Sequence, residues 1–161
     1  MRWIGLLLLI SCFGCTDKQR TPVLGMWSGG FYTDKAEVLR GYLQLYKTGD
    51  KFKMRLATRE QEMTFNGTWT IAKGRVELQI ADVEFENPTD EERKARGIRV
   101  FDSEKVREAF AKPIALDLTD QDKTLRGLTM TLDQIQGRLG FTKGAVTKET
   151  QEVLDKMRTN R

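Results

Sequence analysis

Histidine is absent from this chain of 161 residues, and its two cysteines, Cys12 and Cys15, both lie within the first fifteen residues. Without histidine the chain has no Ser-His-Asp or Cys-His catalytic site, no histidine general base and no histidine-bound metal. Serine is scarce as well, because only Ser28 and Ser103 occur beyond the N-terminal segment. Glycine-rich phosphate loops and nucleophile elbows are also missing. We therefore predict a non-enzymatic protein with no catalytic residue, no cofactor and no metal site.

The chain also lacks a large excess of charge of one sign. It has 27 basic and 23 acidic residues, which gives a net charge of +4, and these charges are interspersed. A nucleic-acid-binding protein would concentrate basic residues on one face, so we predict no nucleic-acid partner. Hydrophobic residues make up 39% and charged residues 31% of the chain. These proportions and the length are typical of one globular domain, which we assign to residues 24–161.

The N-terminus has the pattern of an export signal. Arg2 supplies a positive charge, an apolar run follows from Trp3 to Ile10, and small residues precede the cysteines. A membrane-spanning helix needs about 20 apolar residues, roughly twice the stretch from Trp3 to Phe13. The segment is therefore too short for a transmembrane anchor.

This segment resembles a bacterial lipoprotein signal, in which a small residue precedes the cysteine that is lipidated. The resemblance implies a signal peptide over residues 1–14, and a lipid-bearing cysteine, modified with diacylglycerol and palmitate, that becomes the new N-terminus. Gly14 precedes Cys15, which we take as the lipid site, and Cys12 is the alternative. Residues 15–23 are then a polar tether. We expect an exported monomer anchored to the bacterial cell envelope, at the outer membrane or the periplasmic face, with no protein partner identified.

Beyond residue 24 the hydrophobic residues alternate with a period of two, which predicts β-strands. In the clearest run, Met63, Phe65 and Trp69 fall on one face and threonines on the other. The alternation slips by one residue at Ala81-Asp82, which predicts a β-bulge. The predicted strands cover about residues 24–33, 38–47, 51–58, 62–71, 75–86, 114–118, 128–132 and 137–142.

Eight consecutive strands with short turns predict an all-β fold, either an antiparallel up-and-down barrel or a strongly curled sheet. A charged insertion over residues 87–113 separates the fifth and sixth predicted strands and contains two short helical patterns. Within it Gly97 to Phe101 has the pattern of a brief strand, and we expect Phe101 and Phe110 to attach the insertion to the body. A C-terminal helix is predicted over residues 146–158.

The first strand opens with Leu24-Gly25-Met26-Trp27, and Gly67-Thr68-Trp69 repeats the motif. A Gly-x-Trp motif at the start of an eight-stranded meander resembles the lipocalin-like, calycin-type barrels. The resemblance implies that Trp27 plugs the closed end and that an arginine near the last strand lies across its ring. Arg138 is the candidate, with a cation–π contribution of about 0.5–2 kcal/mol.

Three functions remain open at this stage. The interior of an eight-stranded barrel is either filled by side chains or holds one small ligand, here apolar or amphiphilic. An internal pocket of about 300 Å³ would favour ligand binding, whereas a filled core favours a protein-interaction module in which the insertion makes the contact. A carboxylate hydrolase is the third hypothesis, with candidates among Asp82, Glu84, Glu86, Asp117, Asp120 and Asp122. The candidate ligand-binding residues are Trp69, Phe65 and Met54, together with Tyr42 and Tyr46 on the opposite face of their strand.

Overall fold

The computed structural model describes residues 21–97, 100–119, 121 and 123–144. Within them the chain forms a closed barrel of eight antiparallel strands in sequence order, in which the last strand pairs with the first. The predicted all-β barrel is confirmed, and closure replaces the curled-sheet alternative. Cys12, Cys15 and the predicted C-terminal helix lie outside the described residues. The strands are β1 (Gly25–Tyr32), β2 (Glu37–Leu45), β3 (Lys51–Ala57), β4 (Glu62–Ala72), β5 (Arg75–Glu86), β6 (Ile114–Thr119), β7 (Thr124–Leu132) and β8 (Ile135–Thr142).

Alternating burial explains why these segments form a barrel wall. On β3 the side chains of Phe52, Met54 and Leu56 are buried while the residues between them face outwards. The predicted bulge is confirmed, because Asn66 pairs with Asp82 and Gly67 with Ile80, which leaves Ala81 without a partner on β4. The bulge restores the inward direction of the next apolar residues on β5.

The barrel has an N-terminal end, where β1 begins and β8 ends, and an insertion end opposite. A 3₁₀ turn at Thr21–Val23 precedes β1, and the Val23 side chain is completely buried. The predicted tether is therefore shorter than residues 15–23, because Val23 belongs to the core. Ser28 pairs with Thr142, so the last described residues leave the barrel at the same end.

The insertion contains two helices, as predicted, α1 (Asp90–Arg96) and α2 (Ser103–Ala109). Thr89 and Glu92 form a capping box at the start of α1, and Gly97 ends it in the left-handed conformation. The Asp102 side chain caps α2 by accepting hydrogen bonds from the first-turn amides. The brief strand predicted between these helices does not form at Gly97, Val100 or Phe101; the two residues between Gly97 and Val100 are not described.

Helix α2 completes the barrel wall where the sheet is interrupted. β6 pairs with β5 from Arg75 to Leu78, and among the described residues the second half of β5 pairs with no strand on that side. There Arg107 of α2 donates a hydrogen bond to the Val83 carbonyl over 3.3 Å, and its guanidinium lies 4.8 Å from the centre of the Phe85 ring. Side-chain contacts therefore replace backbone pairing along this stretch.

One inward assignment is wrong. Leu128, Met130 and Leu132 alternate with threonines, which predicts one inward face for all three, but Leu128 is 67% exposed. The β7–β8 register shifts between Arg126 and Thr129, so the strand reverses its inward and outward sides at this point. Leu132 is buried as predicted, because it lies beyond the shift.

Side chains fill the interior of the barrel. The Phe110 ring, from the end of α2, packs against Phe65 with ring centres 4.5 Å apart, and Phe101 is also buried, so both aromatics attach the insertion as predicted. This packing of buried side chains favours a solid core over an internal ligand site. The largest completely buried side chains are Trp27, Trp69, Phe31, Phe65, Phe110, Phe141, Leu39, Leu43, Leu45, Met54, Leu56 and Met63.

Gly137 is a position where the core accepts no side chain. A Cβ atom there would lie 2.7 Å from Cζ of the buried Phe31 ring. We expect Gly137→Ala to lower the free energy of unfolding by about 1–3 kcal/mol, the usual cost of overpacking. Urea unfolding followed by circular dichroism measures this loss. Gly144→Ala is the matched control, because nothing lies within 4 Å of its Cβ position, and an equal loss in both variants would contradict the explanation.

Candidate functional site

The five candidate ligand-binding residues do not converge on one site. Met54, Phe65 and Trp69 are buried in the filled interior, with Trp69 donating its indole hydrogen bond to the Tyr46 carbonyl over 2.9 Å. Tyr46 is 38% exposed beyond the end of β2, and its hydroxyl bonds to the Gln44 side chain over 2.8 Å. Tyr42 faces outwards from the wall, since it alternates with buried leucines on β2. Of the five, Tyr42 is therefore the one that lines a described cavity.

The Gly-x-Trp motif closes the N-terminal end of the barrel. Trp27 is completely buried, and its indole nitrogen donates a 2.8 Å hydrogen bond to the carbonyl of Val23 in the preceding 3₁₀ turn. Gly25 has a φ of +106°, a conformation that other residues rarely adopt, and this lets the chain pass from the turn into β1. The motif thus connects the first residues of the domain to its core.

The cation on the Trp27 ring is Lys143, and the assignment of Arg138 to this place is wrong. Arg138 alternates with inward-facing Gly137 and Leu139, so it points to solvent, 3.8 Å from Asp34. The β1–β8 register places Arg138 opposite Tyr32, at the other end of β1 from Trp27. The ammonium of Lys143 lies 5.4 Å from the centre of the Trp27 ring and donates a hydrogen bond to the Pro22 carbonyl.

A groove with a volume of about 1030 Å³ lies on the outer wall of β1–β3. We call it the outer groove. Its lining includes the paired glycines Gly29 and Gly41 and the small side chains of Ser28 and Ala57. The remaining lining residues are Tyr32, Glu37, Val38, Arg40, Tyr42, Arg55, Thr58, Arg59 and Glu60.

One side of the outer groove carries a hydrogen-bonded group of Tyr32, Glu37 and Arg40. The Arg40 guanidinium donates twice to one oxygen of Glu37, over 3.0 and 2.9 Å. Burial, together with a hydrogen bond to the Glu37 carboxylate, raises the pKa of Tyr32 to about 12. Glu37 therefore contacts both the Tyr32 phenol and the Arg40 guanidinium at the edge of the groove.

A second group consists of Tyr42 and Arg55, which line the groove, and of Glu62, the ion-pair partner of Arg55. Tyr42 and Arg55 are register partners on β2 and β3, and Arg55 forms an ion pair with Glu62 of β4. These charged side chains are only 18% and 19% exposed. Burial lowers the pKa of the Arg55 guanidinium and raises the pKa of Tyr42, although the positive charge of Arg55 opposes the second effect. The charged residues that line the groove are thus Glu37, Arg40, Arg55, Arg59 and Glu60, and Glu62 is the ion-pair partner of Arg55.

The tyrosine at the rim gives a pH-dependent prediction. Tyr32 is expected to ionise with a pKa of about 12 instead of 10.0. Because the folded barrel holds this proton more tightly than the unfolded chain does, the stability it contributes is present below pH 10 and is lost as the pH rises towards 12. Alkaline titration of tyrosinate absorbance, compared between the wild type and Tyr32→Phe, measures the value. Glu37→Gln should lower it, and a Tyr32 pKa near 10 in the wild type would contradict the hydrogen bond.

A second cavity of about 530 Å³ lies beside the outer groove at the insertion end. Both cavities are lined by Ala57, at the end of β3, and by Thr58, Arg59 and Glu60 of the β3–β4 connection. The other lining residues of the second cavity are Gln61, Glu62, Glu86, Asn87, Pro88, Glu92 and Arg96.

Gln61 joins the β3–β4 connection to the insertion. Its side chain is only 2% exposed and makes three hydrogen bonds across the fold. Its amide nitrogen donates to the Asn87 side chain over 2.8 Å and to the Phe101 carbonyl over 3.0 Å, while its oxygen accepts from the Phe101 amide over 2.7 Å. Lys105 binds Asp133 over 3.1 Å on the far side of α2. The insertion is thus held on two sides by polar contacts.

The carboxylates proposed for hydrolysis are dispersed. Asp82 and Glu84 are exposed on the outside of β5, and Asp117 forms a 2.7 Å ion pair with Arg75. Glu86 lines the second cavity, and Asp120 and Asp122 are outside the described residues. Among the residues that the structure describes, no group of three or more acidic or cysteine residues is placed to hold a metal ion. In the same part of the chain no helix is long and apolar enough to cross a membrane.

Sequence reasoning missed Lys143, Gln61 and most of the outer groove. Lys143 follows the last strand, and its place beside Trp27 depends on the β1–β8 register, which the sequence does not specify. Gln61 lies between two glutamates and carries no local signal of burial. Compared with protein-family models and with curated proteins, the chain matches no family model and no curated protein.

Proposed function

We propose that this protein is a lipid-anchored binding protein of the bacterial cell envelope. Cys15 carries the lipid, a short polar segment follows it, and a lipocalin-like barrel presents the ligand site. The barrel is a solid scaffold, and the ligand binds on its outer wall, in the outer groove. This proposal keeps the amphiphilic ligand suggested by the sequence but moves it out of the interior.

The contrast between the interior and the outer wall carries this proposal. A ligand inside the barrel would have to displace the ring of Phe110 from Phe65 and other completely buried side chains. The outer groove, at about 1030 Å³, matches the upper end of the range of about 300–1,000 Å³ for small-molecule sites. It also combines aromatic, charged and small residues, as such sites do.

The direction of the groove fits an anchored protein. Tyr32 ends β1, and Thr58 to Glu60 belong to the β3–β4 connection, so the groove opens towards the insertion end. Residue 21 enters the barrel at the N-terminal end. A lipid placed a few residues before it would leave the groove and the second cavity facing away from the membrane.

Native mass spectrometry tests both the lipid anchor and the ligand site. The sample is the full-length protein, purified from its own membranes in a mild detergent. We expect a chain that begins at Cys15 with a covalently bound lipid, and a retained ligand that is lost in Tyr42→Ala. An unlipidated chain that begins at another residue would refute the anchor. A ligand retained equally in the wild type and Tyr42→Ala would refute the groove.

A protein-interaction role is the second candidate, and helix α1 favours it. All seven of its residues are exposed, yet both of its ends are capped. Helices of this length are unstable in isolation. The two caps therefore stabilise a charged helix that buries none of its residues. Site-specific photo-crosslinking from Lys94 in living cells tests this role: one defined protein adduct, abolished by Arg93→Glu, would support it, and the absence of an adduct would refute it.

A further inference from the structure

Lysine residues are concentrated in the connections at the N-terminal end of the barrel. Because successive strands run in opposite directions, this end carries the β2–β3, β4–β5 and β6–β7 connections and the residues that follow β8. Four of its lysines, which we call the basal lysines, are exposed and form no ion pair among the described residues: Lys47, Lys51, Lys73 and Lys123. Their ammonium groups therefore face solvent.

The two ends of the barrel differ in charge when each connection is counted with the strand residues that flank it. At the N-terminal end there are six basic and three acidic residues. The basic ones are the basal lysines, Arg75 and Lys143, and the acidic ones are Asp50, Asp120 and Asp122, of which the last two lie outside the described residues. Asp117, farther along β6, pairs with Arg75 over 2.7 Å, so the excess of positive charge lies on the lysines. The opposite end, which includes the whole insertion, has nine basic and twelve acidic residues and is net negative.

An aromatic side chain accompanies the basal lysines. Tyr46 directly precedes Lys47, and it is 38% exposed. Tyrosine favours the boundary between lipid and water because its ring is apolar and its hydroxyl is polar. The long, flexible lysine side chain brings an ammonium group to a phosphate from the same boundary. This combination of side chains suits the headgroup region of a membrane.

We infer that the N-terminal end of the barrel binds the anionic phospholipid surface of the membrane, with the basal lysines on the phosphate groups and Tyr46 at the interface. The inference rests on the proposed lipid anchor and adds a second membrane contact to it. The six residues between Cys15 and Pro22 extend to about 20 Å at most, so the anchor keeps this end of the barrel close to the bilayer.

The two contacts depend on each other in strength. A basic residue near an anionic surface strengthens binding about fivefold, so four lysines alone give an affinity no better than about 1 mM. That is too weak to retain a chain that has lost its lipid. In the anchored chain the same contact is intramolecular and benefits from a high effective concentration. The lipid therefore holds the protein on the membrane, and the basal lysines orient the barrel upon it.

Lysine acetylation mapped by mass spectrometry tests this orientation. The full-length protein is reconstituted into vesicles of phosphatidylcholine, either alone or with about one third phosphatidylglycerol, and treated with a membrane-impermeant acetylating reagent. We expect the basal lysines to react at least about threefold more slowly on the anionic vesicles, because a surface potential of about −30 mV lowers the fraction of neutral amine that much. About 1 M salt should reverse the effect. Lys35 and Lys94, at the opposite end, lie about 20 Å away, beyond the Debye length, and should react equally on both vesicles.

A pair of double variants separates the basal lysines from net charge. Lys47→Glu/Lys73→Glu should restore the reactivity of Lys51 and Lys123 on anionic vesicles. Lys35→Glu/Lys94→Glu is the matched control, because it changes the net charge equally at the opposite end and should leave the protection intact. Circular dichroism of each variant verifies that the barrel is folded.

The same spectra separate failure of this inference from failure of the anchor. Basal lysines that react equally on both vesicles, in protein whose N-terminal peptide carries the lipid, would overturn the membrane contact and retain the anchor. Protection of Lys35 and Lys94 in place of the basal lysines would also overturn it. An N-terminal peptide without lipid would refute the anchor, and with it the inference.

Discussion

Replacing Trp27 with alanine is expected to lower the free energy of unfolding by about 3–5 kcal/mol, as is usual for a buried tryptophan. The side chain is completely buried at the N-terminal end, so its removal leaves a cavity that the surrounding strands cannot fill by relaxing. The variant also loses the indole hydrogen bond to Val23, which attaches the 3₁₀ turn to the barrel. Urea unfolding followed by far-ultraviolet circular dichroism measures the loss without relying on tryptophan fluorescence.

Two further variants separate the contributions of the Trp27 hydrogen bond and of the Lys143 cation from that of the buried ring. Trp27→Phe keeps most of the apolar surface but loses the hydrogen bond, so it should cost less than Trp27→Ala. Lys143→Met keeps the core intact and removes the cation from the ring, which should cost about 0.5–1 kcal/mol. A loss of less than about 1 kcal/mol in Trp27→Ala would contradict the role of Trp27 in closing the barrel.

The strands could be predicted because inward and outward positions alternate. A strand that buries one face requires an apolar residue at every second position, and β3, β4 and β5 follow this rule closely. Even the irregularity at Ala81 was visible, because it shifts the alternation by one residue. Leu128 was assigned wrongly because the register shift at this point follows a glycine. Apolar residues precede and follow the shift, so the change of face does not interrupt the alternation of apolar and polar residues.

Contacts between distant strands were harder to predict. Arg138 was chosen because it lies in the last strand. Its neighbours Gly137 and Leu139 face inwards, so Arg138 itself faces outwards. Placing a cation over Trp27 requires the register between β1 and β8, and local patterns do not specify it. Gln61 was missed for a related reason, since its burial depends on Phe101, forty residues later in the chain.

The outer groove was invisible in the sequence because its residues look like an ordinary solvent-facing surface. Tyr42, Arg55 and Glu62 alternate with buried residues, as solvent-exposed residues on any half-buried strand would. Tyr42 and Arg55 line the groove together because neighbouring strands bring them side by side, and Glu62 is paired with Arg55. Of the five ligand-binding residues proposed from the sequence, Tyr42 lines the outer groove and the other four do not.

Cys15→Ala is expected to release the protein from the membrane fraction and to abolish incorporation of radiolabelled palmitate. Anchoring by a single fatty chain is marginal, whereas the two chains of a diacylglycerol hold a protein stably, at about 0.8 kcal/mol per buried methylene. The apolar stretch that remains in the variant, from Trp3 to Phe13, is about half as long as a spanning helix. Cys12→Ala is the matched control and should keep both the label and the membrane attachment.

Electrostatic attraction is the competing explanation for any membrane attachment, and salt separates it from a lipid anchor. Thr16 to Arg20 contains two basic residues and one acidic residue, and basic residues contribute only about 1 kcal/mol each near an anionic surface. Because that attraction is screened at about 1 M salt, a high-salt wash removes a protein that is held by charge alone. Wild-type protein that resists the wash, together with Cys15→Ala protein that is already soluble before it, identifies Cys15 as the anchor. Loss of the palmitate label in Cys12→Ala alone would assign the lipid to Cys12, and labelling of neither cysteine in the wild type would refute the anchor.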